Sequence, residues 1–313
     1  MLKYYIEENH EIDESETLPE TNGWIALTDP NDEELHTVSA AFNLPMEVCR
    51  TALDLDERSR IEIDDNYRMI LINIPTREET TERELYTTIP LAIILTGNQI
   101  ITVCQKDTHI LRGFSNGKER DFHPGKRSRF VFQILYAAAR RYLIYLRLIE
   151  KKIDAVEEEF SKNQKNHELM ELMKLQKSLV YFSTGLRSNE SVHEKLCRTD
   201  VIERFEEDND ILEDAIVENR QAIEMAKINS EILTNLSNTF AAVISNNLNV
   251  AMKILAIITA VMAFPTMLFS AYGMNVADIP LANLTGSFWI VLAVGIAAGL
   301  VAMLVILKIK IFK

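Results

Sequence analysis

Tyr272-Gly273-Met274-Asn275 follows directly on an apolar run and offers oxygen in neutral form: the backbone carbonyls of Gly273 and Met274 and the side-chain amide of Asn275. A small divalent cation holds its waters tightly, so uncharged acceptors suit it by addressing those waters without stripping them, and they bind weakly enough to let it go. Glycine at 273 lets the chain turn at a helix end. Asn275 has a second reading as a left-handed helix cap, and the two roles can coexist. Behind the tetrapeptide, Met252, Leu255, Thr259, Met262, Thr266 and Ser270 recur at three- and four-residue spacing, the pattern of one helix face, with Asn246 and Asn249 just before them. The Thr266 hydroxyl is a further neutral oxygen. Met252 and Leu255 read either as an apolar constriction that closes by dewetting or as ordinary packing.

Other chemistry fails on residue type or spacing. The six histidines (10, 36, 109, 123, 167 and 193) have no ligand spacing, and Cys49, Cys104 and Cys197 are an odd, scattered set that suits reduced thiols. The run from Gly113 to Glu119 is one residue short of a phosphate-binding loop and has Glu119 where Ser or Thr is needed, so it reads as a turn and no nucleotide is expected. No Ser/His/Asp or Cys/His arrangement stands out, so no enzymatic activity is expected. A formal charge of −13 argues against a nucleic-acid partner, which would demand a basic face.

The elements that must position the tetrapeptide are unusually clear. From Ile254 to Leu307 there are 54 residues and one charge, Asp278. Two apolar runs fill that stretch, Ile254–Ala271 and Phe288–Leu307, and each approaches the roughly 20 residues that cross a bilayer. A buried hairpin of a soluble protein is the alternative, but helices of that kind are seldom so free of charge. Lys253, Lys308, Lys310 and Lys313 lie outside the hairpin, and the loop Tyr272–Ser287 has no Lys or Arg. Positive charge stays on the cytoplasmic side, which puts both termini in the cytoplasm of a plasma membrane of bacterial type. The tail from Lys253 carries four Lys and one Asp, a net +3, so the first 252 residues carry −16 of the total −13.

Upstream, no Pro occurs between Asp208 and Phe264 and no Gly before Gly273, while Ile216, Ile223, Ala226, Leu233, Leu236, Phe240 and Val243 make a coiled-coil-like seam. A helix of about 60 residues, roughly 90 Å long, is expected to run unbroken into the first membrane span. Before it come a strand at Trp24–Thr28, a helix capped by Asp29-Pro30 and reaching Phe42, and hairpins at Arg60–Ile63 with Tyr67–Ile74 and Tyr86–Thr96 with Gln99–Cys104. Pro90 suggests an edge or bulge. Helices follow from Ser128, as cap, to Phe160 and from His167 to Ser188.

A Tyr-Gly-Met-Asn element at the mouth of a C-terminal two-helix hairpin, after a long helix and an acidic α/β domain, resembles the CorA family of magnesium channels. The likeness is sharpest from Asn249 to Asn275, through Met252-Lys253-Ile254-Leu255 and Thr266. It implies an α+β membrane protein with a cytoplasmic α/β/α domain and a stalk helix that becomes the pore-lining span of a funnel-shaped homopentamer. Residues 1–125 would form the α/β domain, 126–207 a helical hairpin, 208–251 the stalk, 252–271 and 288–307 the membrane helices, 272–287 the outer loop and 308–313 a basic tail. Tyr272, Gly273, Met274 and Asn275 would be the selectivity filter. Asn246, Asn249, Met252, Leu255, Thr259, Met262, Thr266 and Ser270 would line the pore.

By the same resemblance, Asp214, with Glu213 and Glu218 nearby, falls where the family has a regulatory carboxylate. Intracellular Mg²⁺ screening such carboxylates across subunits would hold a closed state. Its partner is open among Glu78, Glu79 and Glu82. A solvated charged face is the plainer reading of each. The implied activity is inward Mg²⁺ movement, with Co²⁺ and Ni²⁺ as further cargo, driven by a membrane potential worth about 4.6 kcal/mol per 100 mV for a divalent ion. Two departures bear on this. Pro265 stands one position from the family's usual proline, leaving the pore register open by one residue. The outer loop reads Val276-Ala277-Asp278-Ile279-Pro280-Leu281, with Leu281 where the family often has Glu. Alternatives are a zinc or other divalent transporter of the same family and, in another class, a membrane-tethered cytoplasmic scaffold. Gly295 and Gly299 form a GxxxG pattern that reads as helix packing.

Overall fold

The computed structural model describes the chain except residues 9–10, 81–82, 120, 164–165, 200, 204, 277–278, 282–283 and 309–313, and it omits the side chains of residues 8, 11, 79–80, 83–85, 163, 166, 306 and 307. Asp278, Glu82, Lys310 and Lys313 therefore lie outside the described residues, as does the side chain of Glu79. The chain divides into two compact units, Met1–Ser237 and Asn238–Lys313.

In the first unit, strands β1 (Leu2–Glu8), β2 (Glu11–Ser15), β3 (Trp24–Thr28), β4 (Arg60–Ile63), β5 (Arg68–Thr80), β6 (Arg83–Thr96) and β7 (Gln99–Cys104) make one sheet in the order β2-β1-β3-β7-β6-β5-β4. All neighbours are antiparallel except β3 and β7. The central strands are apolar on both faces because both faces are covered. Along β6, Leu91, Ile93 and Leu95 join one core while Ala92 and Ile94 join the other, and each fully buried Ile or Leu contributes about 2 kcal/mol. One core packs under helices α1 (Asp32–Phe42) and α2 (Met46–Arg50). The other packs under α3 (His109–Ser115), α4 (Arg127–Asn163), α5 (Asn166–Arg198) and the start of α6 (Glu206–Tyr272). Two sides of helix on one sheet is the α/β/α arrangement expected.

Several local expectations are corrected. Helix α1 is capped by Asn31, not Asp29-Pro30: its side chain accepts from the Glu34 amide at 2.8 Å while Glu34 reaches back to the Asn31 amide at 3.0 Å. Ser128 caps nothing; its hydroxyl donates to the Glu203 carbonyl at 2.5 Å and ties α4 to the approach to α6. Gly113 to Ser115 are helical, the last residues of α3, and the turn begins only at Asn116-Gly117. Pro90 sits on an interior strand, paired with Asn73 of β5. It is tolerated because β7 stops at Cys104, opposite Leu91, so β6 is locally an edge there.

The α6 seam of this unit keeps Ala226 and Leu233 of the expected set and otherwise differs from it. Its buried positions are Leu212, Ala215, Asn219, Ala222, Ala226, Asn229 and Leu233, a spacing of three and four, while Ile216 and Ile223 are only half-buried. The two asparagines are satisfied by backbone: Asn219 donates to the Leu186 carbonyl of α5 at 3.2 Å and Asn229 to the Leu146 carbonyl of α4 at 3.3 Å. Polar residues at seam positions fix register, which here sets how far α6 is advanced along α4 and α5.

Candidate functional site

In the second unit, α6 continues to Tyr272 and α7 spans Ser287–Lys308. Both are long and apolar enough to cross a membrane. On α6 the half-buried residues are Ile257, Val261, Pro265, Leu268 and Tyr272, a stripe of four- and three-residue steps that α7 covers. The contact is close because α7 supplies glycine. A Cβ placed on Gly295 would lie 2.6 Å from the tip of the Phe269 ring, and one on Gly299 would lie 3.2 Å from Pro265 Cγ and 3.8 Å from the Val261 carbonyl oxygen. The GxxxG notch thus receives the proline inside α6 and the aromatic one turn on. Pro265 has no N–H for the Val261 carbonyl, and that carbonyl is the one facing Gly299.

That contact fixes which side of α6 faces away. At 3.6 residues per turn the centre of the uncovered side carries Met252, Ser270 and Thr259, with Thr266 on its flank, Asn249 and Leu255 further out, Met262 at its edge and Asn246 beyond that edge. All eight are exposed. Ala263 also falls near the centre and Ala256 on its flank, and sequence reasoning missed both because an alanine carries no polar signal. Ala263 stands one residue on from Met262, the same one-residue step that Pro265 raised. The hydroxyls of Thr259 and Thr266 donate to the carbonyls of Leu255 and Met262, each at 2.8 Å. With their protons so engaged, both threonines present only lone pairs outward.

At the end of α6 the Gly273 amide donates to the carbonyls of Phe269 and Ser270, at 3.0 and 3.1 Å, and the Met274 amide to that of Ala271 at 3.4 Å. Beyond these, the carbonyls of Gly273 and Met274 and the amide of Asn275 have no hydrogen bond from any described residue, and Gly273, Met274 and Asn275 are exposed. Neither Gly273 nor Asn275 takes the left-handed conformation, so the cap reading of Asn275 falls, and Gly273 is not required by backbone geometry. A Cβ there would make ordinary contacts at 3.5 Å with the Phe269 and Ser270 carbonyls. The end of α6 is thus a set of unspent neutral oxygens at a helix C-terminus, where aligned peptide dipoles supply about half a negative charge. Such an end attracts a cation without holding a fixed anion.

In the first unit, Glu213 and Asp214 are exposed on α6 and Glu218 is half-exposed. Among the described residues no group of His, Cys, Asp and Glu is disposed to hold a metal. Glu78 is taken by Lys106 at 3.4 Å. A carboxylate that sequence reasoning missed lies six residues before Asp214. Asp208, 3% exposed, faces Arg129 of α4 at 3.6 Å; burial pushes its carboxyl above the usual range, against the pull of that guanidinium.

Known proteins resemble this chain along nearly its whole length. The family model described as CorA-like Mg²⁺ transporter protein matches residues 20–309. The cobalt/magnesium transport protein CorA of Methanocaldococcus jannaschii is 28% identical over 86% of this chain and 85% of its own. The protein of that name from Thermotoga maritima is 23% identical over 99% of this chain and 90% of its own. The complete structure of the CorA magnesium transporter from M. jannaschii superposes with a TM-score of 0.81 over 97% of this chain and 96% of that one, at 24% identity, and so shares its fold. With a two-helix apolar hairpin, the Tyr-Gly-Met-Asn element at its turn and a family match running from the α/β sheet through the second hairpin helix, the chain belongs to the CorA-like Mg²⁺ transporters, a family that moves divalent cations across membranes.

Proposed function

We propose that five copies of this chain form a funnel-shaped channel that passes Mg²⁺ into the cytoplasm down the membrane potential. The observation that carries this reading is the end of α6, where the carbonyls of Gly273 and Met274 and the amide of Asn275 are exposed and unspent. Repeated around an axis, they form a ring of uncharged acceptors that greets a cation with its hydration shell in place. Tyr272, on the stripe that α7 covers, anchors the ring. Asn246, Asn249, Met252, Leu255, Thr259, Met262, Thr266 and Ser270 line the path inward: threonine and serine lone pairs meet the ion's water, and Met252 and Leu255 close the path by dewetting.

Both termini are cytoplasmic, as the lysine distribution directs. Intracellular Mg²⁺ holds the closed state through Asp214, with Glu213 and Glu218, across subunit boundaries. Co²⁺ and Ni²⁺ are further cargo, since neutral oxygens discriminate weakly among hydrated divalent ions. The deciding experiment is tracer flux of each metal into liposomes holding the purified protein, at low and high internal Mg²⁺. Asn275→Ala abolishes flux if the ring is the filter, and unchanged flux in that variant refutes the ring; absence of flux with every metal in the wild-type protein favours a tethered scaffold. A zinc flux dependent on a pH gradient would move the reading to zinc transport.

A further inference from the structure

The face of α4 bearing Arg141, Ile144 and Leu148 forms a groove of about 480 Å³ with Pro75–Arg77 of β5 and the stretch Asp107–Arg112. Its charge opposes its surroundings. The first 252 residues carry a net −16, yet among the described residues lining the groove the guanidinium groups of Arg77, Arg112 and Arg141 and the His109 imidazole stand beside one carboxylate, Asp107, and Arg77 has a further partner of its own. That carboxylate is engaged: Asp107 Oδ2 accepts from Arg112 Nε at 2.6 Å. Arg141 is half-buried, forms no ion pair with any described residue, and lies 5.9 Å from the centre of the Tyr145 ring. Burial raises the Tyr145 hydroxyl above its ordinary value while Arg141, which also hydrogen-bonds it, and Arg77 pull it back. One wall is apolar. Ile144 and Leu148, a helical turn apart, are 41% and 38% exposed, on a helix whose other large apolar residues are mostly buried.

Guanidinium groups converging in an acidic domain repel one another unless an anion joins them, and their planar donors match phosphate oxygens in pairs. Low-dielectric walls focus the local positive potential against the background. We propose that this groove binds a small polyphosphate anion, held by Arg112 and Arg141, with the Ile144–Leu148 shelf open to a nucleoside on the same phosphates. The loop pattern that failed at Gly113–Glu119 recognises phosphate through backbone amides and has no bearing on a guanidinium groove. The proposal is independent of the transport reading.

The test is calorimetric titration of the full chain in detergent, in Mg²⁺-free buffer, with inorganic triphosphate and separately with ATP. Saturable binding with a Kd of about 1 mM or tighter is expected, weakened roughly tenfold or more by Arg141→Gln and by Arg112→Gln. The Arg112 side chain is 50% exposed, so that variant keeps the test valid should the half-buried Arg141 prove necessary for folding. Equal affinity for the two anions assigns the site to free polyphosphate, and tighter ATP binding assigns it to a nucleotide. Absence of saturation with both anions, or binding unchanged in a folded arginine variant, overturns the proposal.

Discussion

Glycine in the α7 notch gives a sharp test of the hairpin, because its two contacts differ in what can yield. Lipid is as apolar as a membrane helix, so helix association there depends on close packing. At Gly295 an added Cβ meets the Phe269 ring at 2.6 and 2.7 Å, a distance no atom pair tolerates. The ring is 40% exposed and turns about χ1, so Gly295→Ala forces it out of the notch and loses its contact with α7. At Gly299 the neighbour is the Pro265 ring at 3.2 Å, which is fixed to the α6 backbone and can move only with it. Overpacking of this kind costs about 1–3 kcal/mol. Chemical unfolding in detergent of Gly295→Ala, Phe269→Ala and the double variant should therefore be non-additive by about 1 kcal/mol or more, because once the ring is gone the added methyl has space. Gly299→Ala should be equally damaging with or without Phe269. If the Gly295 and Phe269 effects add to within about 0.5 kcal/mol, the two residues do not touch and the deduced facing of α6 fails with them.

Four further outcomes follow from single contacts. His193 is 3% exposed, its Nδ1 has no partner among the described residues, and burial, helped by Arg220, lowers its pKa to about 4. The unfolded chain thus takes up the proton first, so stability falls as pH drops from about 6.5 to 4, by about 2 kcal/mol between pH 7 and 5; His193→Leu should flatten that part of the pH profile of urea unfolding, and an unchanged slope would exclude His193 as its source. A Cβ on Gly185 would lie 2.6 Å from the Tyr142 hydroxyl, which donates to the buried Asn73 carbonyl at 3.0 Å, so Gly185→Ala should cost about 3 kcal/mol in the same assay. Thr266→Val keeps the shape and removes the outward lone pairs, and should slow Mg²⁺ flux several-fold, at about 1 kcal/mol, while Thr266→Ser retains it. Asn275→Asp should bind Mg²⁺ more tightly in equilibrium titration yet carry less of it in liposome flux.

How much was legible depended on whether a residue's role showed in its own chemistry. The hairpins around β6 were readable because buried strands are rich in β-branched residues and bounded by Gly97-Asn98 and Asp64-Asp65-Asn66. The membrane helices were readable from the absence of charge. Strands β1 and β2 were missed: they pair with each other in a tight hairpin, Glu8 opposite Glu11, but LKYYIEE and EIDES are acidic and lack the apolar alternation that marks a half-buried strand. Helix α5 runs ten residues past Ser188, where only Val192 and Leu196 mark the buried side and tertiary packing supplies the rest. In the α6 seam, Asn219 and Asn229 broke the apolar period, since their partners are backbone carbonyls on other helices that no local pattern reveals. Within the candidate site the tetrapeptide was legible as a motif. Its conformation was not: Asn275 suggested a left-handed cap, whereas the helix ends by tightened hydrogen bonds with ordinary backbone angles.

If the end of α6 is the proposed filter, its chemistry favours an amide over a carboxylate at Asn275. A divalent ion about 5 Å from one carboxylate, separated by a layer of water, gains roughly 7 kcal/mol at an effective dielectric of 20. Escape from such a site slows by about five orders of magnitude, since each 1.4 kcal/mol is tenfold. A ring of carboxylates would multiply the attraction and turn a passage into a trap. Neutral oxygens avoid this, but alone they offer a cation little more than water does. The helix C-terminus supplies the difference: about half a negative charge, spread over carbonyls at the end of α6 and confined to its last turn. On the proposed reading it is strong enough to concentrate a hydrated cation and weak enough to release it. Phe269, held in the α7 notch, accepts the Gly273 amide through its own carbonyl, so the packing that anchors the helix also sets where its free oxygens begin.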